Sequence, residues 1–384
     1  METKQLSLFE ASSIVAGLGI GGGIMAVPYL AARNGVIPIL TILFLAYGLS
    51  LLLHLMITEM VMRDEDGKQL VEIFKKFLFG GKAGQLLTWL FFILVLVNFY
   101  ALLSAFIVGI GDLVVNLTGL PLWSAELIGY ACAAGPIFFG LKVLGVSEKL
   151  AILGIAAIVL ILTVASLGKP LNTVSWVSWS VRPALAMYGM VMFSFACFFS
   201  IPQAAKGLAH NRKLIPWSVV MGLGINLVLI LVITLMAILV SEEVTELAII
   251  GWGNAVGTWA TILGSGFVLL AVLTSYWSTS YALAVILEER LGWQYRTSWL
   301  AATLPTLMIA LSGFTNFLGF MRIAGGMLAI LISIMVIPAF RGSKKHGAIL
   351  QPEFSLTRWG SSPAQVLVIV AYLAVAIGTT LAID

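Results

Sequence analysis

The apolar runs decide what this chain can fold into. Eleven mostly apolar stretches recur along its 384 residues, roughly at 7-32, 36-62, 84-115, 121-141, 147-168, 183-206, 214-240, 258-288, 298-313, 317-340 and 363-382. About twenty apolar residues span a bilayer core as a helix. Lipid cannot satisfy a free backbone, so such runs fold as helices whose hydrogen bonds stay within the segment. The expected class is therefore an all-α polytopic membrane protein with 11 transmembrane helices. Charged residues make up only 10% of the chain, against about 25% in a soluble domain. The short polar start, Met1 to Glu10, carries no leader-like cleavage site, so the first run is expected to stay in the membrane. Cys132 and Cys197 fall inside apolar runs and offer no metal cluster.

The loops set the orientation. With the N-terminus in the cytoplasm, 17 of the 21 basic residues lie inside. They include Lys4, the group from Arg63 to Lys82, Arg212, Lys213 and the group from Arg341 to Arg358. Arg33, Lys169 and Arg182 fall outside, and Arg322 lies within a span. This bias satisfies the positive-inside rule. The odd span count then puts the C-terminus on the extracytoplasmic side, and the plasma (cell inner) membrane is expected because no organelle signal and no long tail is seen. The net charge of +4 says little about nucleic acid, because the basic residues are scattered over short loops and set topology; the lipid bilayer is the expected partner, and no nucleic acid is expected. Leu70, Ile73, Phe74, Phe77 and Leu78 recur at helical spacing and predict an amphipathic helix on the inner surface. Ser241 to Gly253 reads as a short outer helix with Ser241 as N-cap.

Two spans should not be continuous. The first carries Ala16-Gly-Leu-Gly-Ile-Gly-Gly-Gly-Ile-Met-Ala-Val-Pro28, with five glycines in seven residues. Each glycine costs a helix about 1 kcal/mol and an interior proline about 3. The segment is expected to unwind over Gly19 to Gly23, where irregular backbone lines a site. Close helix packing is the other use of such glycines. Span six holds Met192-Phe-Ser-Phe-Ala-Cys-Phe-Phe-Ser-Ile-Pro202, with its proline about as deep as Pro28 is in span one. A simple proline kink is the alternative there. Spans 1-5 and 6-10 would then form two five-helix halves of opposite orientation, and paired interruptions in inverted halves point to a transporter site.

The chemistry follows from the unwinding. Free N–H groups of Gly21, Gly22 and Gly23, at the start of a half-helix, suit a carboxylate. Carbonyls of Phe193, Ser194 and Cys197 suit an ammonium group, so the expected ligand is an amino acid. Phe195, Phe198, Phe199 and Tyr100 would line its side-chain pocket, although each also reads as ordinary packing. In span eight, Thr274, Ser275 and the Ala271 carbonyl, together with the carbonyls of Ala16 and Gly19, make a five-oxygen set. Uncharged hard oxygens of this kind suit a monovalent cation, whereas a divalent ion would want carboxylates. Back-bonding to the preceding turn is the alternative for the two hydroxyls. Ionisable residues within spans are functional candidates. Here they are His54, for proton coupling or packing, Glu59, and Asp112 with Arg322 as a gating pair.

Gly-Ile-Gly-Gly-Gly-Ile-Met-Ala-Val-Pro-Tyr followed by Ala-Ala-Arg-Asn-Gly resembles the first broken helix of the amino acid/polyamine/organocation transporter superfamily. It is closest in style to the amino acid/auxin and hydroxy/aromatic amino acid permease branches. Phe-Ser-Phe-Ala-Cys…Pro is similar to their sixth helix, and Ala271-Val-Leu-Thr274-Ser275 to the eighth helix of sodium symporters. The resemblance covers spans 1-10 and leaves span 11 as an accessory helix. It implies a five-plus-five inverted-repeat (LeuT-type) fold, alternating access and one sodium ion at the five-oxygen set. Gly23 replaces the asparagine that serves a second sodium in two-ion symporters. No lysine stands mid-span five as a sodium substitute, since Lys149 lies near the inner end.

Sodium-coupled symport of a neutral, hydrophobic or aromatic amino acid is the first expectation. A proton-coupled permease using His54 or Glu59, or an amino acid sensor subunit, are the alternatives. No zinc-binding His-Glu-x-x-His and no Gly-x-Ser-x-Gly occurs, so an enzyme is not expected. No cofactor is expected beyond the coupling ion.

Overall fold

The computed structural model describes residues 5–81, 83–245, 247–314 and 327–380. Fifteen α-helices are resolved among them. They are α1 (Leu8–Ile20), α2 (Gly22–Ala31), α3 (Val36–Met62), α4 (Leu70–Phe77), α5 (Gly84–Thr118), α6 (Leu122–Phe138) and α7 (Leu141–Ser166). Then come α8 (Val181–Ser194), α9 (Ser200–Gly207), α10 (Ile215–Val240), α11 (Ala248–Val256), α12 (Thr258–Leu291), α13 (Tyr295–Leu311), α14 (Met327–His346) and α15 (Ser362–Thr380). Five of the described helices, α3, α5, α7, α12 and the run Ala209–Val240 that contains α10, are long and apolar enough to cross a membrane. The bent pair α1–α2 adds a sixth crossing. The first part of span ten, with Arg322, lies outside the described residues.

The breaks fall inside spans one and six. α1 ends and α2 begins at Gly21, whose φ of −40° and ψ of −145° leave the helical range. The two half-helices meet at a 55° bend. Pro28 does not end the helix, because α2 runs three residues past it. In span six the chain unwinds over 195–199, and Pro202 is the third residue of the half-helix that follows. A proline in the first turn gives up an N–H that has no partner there in any case.

The two broken spans lie antiparallel along their length. Leu6 N–H donates to the Gly207 carbonyl, and Gly35 N–H to the Ser178 carbonyl at the opposite end. Between these ends, Gly19 abuts Ser194 and Cys197, while Gly23 abuts Phe193 and Ser194. Ascending numbers in one span meet descending numbers in the other, as two inverted halves require. α1 packs on α7, α10 and α12, and α2 on α8 and α10.

Two surface elements differ from expectation. α4 forms where its spacing predicts, but Leu70, Ile73 and Phe74 are buried against α5, α12 and α14, so its apolar face meets protein and not lipid. Ser241 ends α10 and does not start the next helix: α11 begins at Ala248 behind Leu247. Trp252 then anchors α11 in the core by donating its indole N–H to Ser166 Oγ at 2.8 Å.

Candidate functional site

Gly21 is the hinge of the site. The N-terminus of α2 has no side-chain cap, and the first N–H groups of a helix have no partner within it. These donors stand at the bend, at the positive end of the α2 dipole. A Cβ on Gly21 would lie 2.5 Å from Ser275 Oγ and 3.5 Å from the Phe106 ring. On Gly23 it would meet the Ser194 hydroxyl, with Phe193 Cδ1 at 3.2 Å. On Gly19 it would run into the Asn226 amide, with Cys197 Sγ at 2.8 Å. The glycines thus serve both uses foreseen for them: Gly21 breaks the helix and meets α12, and its neighbours Gly17, Gly19 and Gly23 admit α7, α8 and α10 at close range.

The second break is held by side chains. His54 of α3 is fully buried. Its Nε2 accepts the Cys197 N–H at 3.0 Å, and its Nδ1 lies 2.7 Å from the Ser50 carbonyl. The Nε2 acceptor role fixes the neutral tautomer with the proton on Nδ1, donated to Ser50. Ser50 Oγ donates to the Phe195 carbonyl at 3.3 Å, and Phe198 stacks on the imidazole at 4.8 Å between centroids. His54 is therefore a brace for unwound backbone. A second proton on its ring would remove the Cys197 bond.

The aromatic residues divide by direction. Phe193 faces Gly23, and Phe199 packs edge-on against Phe99 of α5 at 4.8 Å. Phe195 and Phe198 turn to Tyr47 and His54 on α3 instead. Tyr100 leaves the group altogether and donates to the Ala301 carbonyl of α13 at 2.7 Å. The ring that reaches the first break is Phe106, two helical turns further along α5. Of the expected ammonium acceptors, the Phe193 carbonyl takes the Ala196 N–H, and the Cys197 carbonyl takes both the N–H and the hydroxyl of Ser200. The Phe193 carbonyl keeps a second lone pair, whereas both lone pairs of the Cys197 carbonyl are taken.

Ser275, one of the expected cation ligands, meets α1 at carbonyls other than the expected Ala16 and Gly19: its Oγ donates to the Gly17 carbonyl at 2.9 Å and approaches the Leu18 carbonyl at 3.4 Å. Thr274 Oγ1 back-bonds to the Ala271 carbonyl at 3.0 Å. Ala16 and Gly19 are both buried on α1, and the carbonyls that Ser275 reaches lie between them.

The remaining ionisable candidates sit apart from this centre. Glu59 is buried at the C-terminal end of α3, where it pairs with Arg63 at 2.7 Å and accepts the Leu356 N–H at 2.8 Å. It ties α3 to the segment before α15. Asp112 is exposed on α5. A buried acid that the sequence reading passed over, Glu148 of α7, lies against Gly17 with Oε1 2.6 Å from Ser278 Oγ. It escaped notice because α7 begins at Leu141, six residues before the expected start of span five, which puts Glu148 two turns inside the helix.

Comparison with known proteins agrees with this architecture. Residues 4–379 match the tryptophan/tyrosine permease family. Glutamine transporter 2 of Aliivibrio fischeri is 22% identical over 353 residues, covering 87% of this chain and 89% of its own. The structure of MhsT in complex with L-phenylalanine superposes with a TM-score of 0.67 at 12% identity, over 98% of this chain and 99% of that one. MHP1, a nucleobase-cation-symport-1 family transporter with bromovinylhydantoin bound, gives 0.64 at 15% identity, over 99% and 95%. A manganese transporter of Eremococcus coleocola gives 0.65 at 14%, over 97% and 86%. The chain is a multi-pass, all-helical membrane transporter and not an enzyme; it has the five-plus-five inverted-repeat fold and belongs to the tryptophan/tyrosine permease family.

Proposed function

We propose that this chain is a secondary active transporter that carries a neutral, aromatic or hydrophobic amino acid by alternating access. One observation carries the reading: two antiparallel broken spans meet at Gly23 and Ser194, with the uncapped N-terminus of α2 at the meeting point. The α-carboxylate goes to the N–H groups of Gly21, Gly22 and Gly23, and the ammonium to carbonyls of the 193–197 segment. Phe193, Phe106 and Phe199 wall the side chain. The family description names tryptophan and tyrosine, MhsT was solved with phenylalanine, and the Aliivibrio relative is named for glutamine. The aromatic wall favours the larger, apolar substrates. The resemblance to the amino acid/auxin and hydroxy/aromatic amino acid branches supports the same class.

A monovalent cation drives the cycle. Sodium between α1 and α12, at Ala16, Gly19, Ala271, Thr274 and Ser275, is one reading, supported by the contact of Ser275 with α1. The proton is the other, supported by the buried acid on the same seam. The whole chain acts as one transporter domain, with repeats over about 7-168 and 183-340 and an accessory helix at about 363-382. It lies in the cell inner membrane with its N-terminus in the cytoplasm and its C-terminus outside. The test is uptake of labelled tryptophan, tyrosine, phenylalanine and glutamine into proteoliposomes, under separately imposed sodium and proton gradients. Saturable uptake of an aromatic amino acid under one gradient is the expected result. Sodium-driven uptake lost in the Thr274→Ala, Ser275→Ala double variant would support the five-oxygen site.

A further inference from the structure

The seam where α1, α7 and α12 meet holds a carboxyl group that the substrate site does not use. Glu148 has no measurable exposure, and its Oε2 is buried without a hydrogen-bond partner. The side chain occupies the space that the missing Cβ of Gly17 leaves free. Its other oxygen, Oε1, is 2.6 Å from Ser278 Oγ, and that hydroxyl is also 3.2 Å from the Ile14 carbonyl of α1.

Counting hydrogens decides the state of this group. Ser278 has one hydroxyl hydrogen and two oxygens within reach. If the hydroxyl serves Glu148, the Ile14 carbonyl keeps only the bond of its own helix. If Glu148 is itself protonated on Oε1, it donates to Ser278 Oγ and Ser278 donates to Ile14, so both contacts are made at once. A bare carboxylate here would leave one oxygen uncompensated in the protein interior, at a cost of several kcal/mol. No salt bridge reaches it among the described residues. The charged groups on the elements packed against α7 are engaged or placed elsewhere. Glu10 of α1 pairs with Lys142 and Lys149 of α7 itself, at 2.7 and 3.6 Å. On α12, Arg290 pairs with Glu72, and Glu289 accepts the Gln69 N–H, both at the inner end. Lys206 of α9 is exposed, and Glu126 of α6 lies beside Gly111 of α5. α10 and α11 carry no charged residue.

We propose that Glu148 carries the coupling proton of this transporter, at a site closed by Gly17 and Ile14 of α1 and by Ser278 of α12. The inference rests on the transporter reading and names the residue that joins ion to substrate. Gly17 stands four residues before Gly21, about 6 Å along the same half-helix. The proton site on α1 therefore lies close to the hinge at Gly21, beyond which the amino acid is held by α2. The chemistry is a single acid–base step. A proton from the outer solution forms an O–H bond at the Glu148 carboxylate, and that bond breaks on the inner side, where water takes the proton and the carboxylate returns.

The test uses the full chain in proteoliposomes with the amino acid it transports. An inward proton gradient of one pH unit stores about 1.36 kcal/mol, or roughly a tenfold accumulation at one proton per substrate. Wild type is expected to accumulate about tenfold under it and not at all under sodium alone. Glu148→Gln keeps an N–H to offer Ser278 but cannot cycle a proton. It is expected to accumulate about onefold while still exchanging labelled for unlabelled substrate. Proton-driven accumulation by Glu148→Gln, or wild-type accumulation driven only by sodium, would overturn the role of Glu148 and leave the transporter reading intact. Absence of both uptake and exchange in wild type would overturn the two together. Should Glu148→Gln lose exchange as well, Ser278→Ala decides: it retains the carboxyl, so accumulation should persist with a displaced pH optimum. An unchanged pH profile in that variant would contradict the proposal.

Discussion

The two interruptions look alike in the sequence and are built differently. In span one the backbone breaks itself. Gly21 adopts a non-helical conformation, and the neighbouring glycines let three other helices close in on the gap. In span six no glycine helps, and the chain is held open from outside. His54 and Ser50 of α3 take up the Cys197 N–H and the Phe195 carbonyl. Gln203 of α9 donates to the Phe199 carbonyl at 3.2 Å and to the Ser278 carbonyl of α12 at 2.9 Å. A break made by glycine tolerates no added volume, whereas a break made by braces tolerates no lost hydrogen bond. The second break is also tied to elements of both halves, so it senses where α3 and α12 stand.

This contrast can be broken by substitution, and the largest effect is expected at the brace. His54→Ala removes an acceptor for a buried N–H and the ring under Phe198, a loss of about 1–3 kcal/mol for the polar group and about 0.5–1.5 more for the stack. Purified protein should melt earlier and uptake should fall at least tenfold, with His54→Gln recovering part of both. Gly21→Ala comes next. Its methyl group overpacks the contact with Ser275 at a cost of about 1–3 kcal/mol. Uptake should drop roughly 5- to 150-fold, and a paired Ser275→Gly should restore part of it. Gln203→Leu leaves two carbonyls short of a donor, and an earlier melting transition together with a several-fold slower uptake is expected. Ser50→Ala is the mildest change. A single hydrogen bond between membrane helices is worth about 0.6 kcal/mol, so uptake should stay within about threefold of wild type. If Gly21→Ala is silent while Ser50→Ala is severe, the distinction between the two breaks is wrong.

Most of the architecture was legible because lipid leaves little choice. The second span was placed at 36-62 and α3 covers those residues. The antiparallel pairing of the broken spans was implied by loop charge and span count. Position within the site was less legible. Tyr100 reads in the sequence as a pocket residue, yet only the packing shows that it addresses α13 while Phe99 and Phe106 meet the breaks. The task of His54 depends on a partner 143 residues away in sequence. A histidine on an apolar helix carries no local sign of what it caps. Glu148 was missed through a boundary error, because a helix that starts at Gly140 and Leu141 hides its first two turns behind Lys142 and Gly145. Pro202 marked the right region but not the unwound residues, which precede it by three to seven positions.

The most direct test of the two-break site is binding of the transported aromatic amino acid to purified protein, measured by isothermal calorimetry for wild type and Gly23→Ala. A methyl group on Gly23 would fill the contact with Ser194 and Phe193, at the point where the two spans meet. Saturable binding to wild type, weakened at least tenfold in a Gly23→Ala protein that still folds, is the predicted result. Equal affinity in the two proteins would contradict a site between the breaks and move the substrate elsewhere in the bundle.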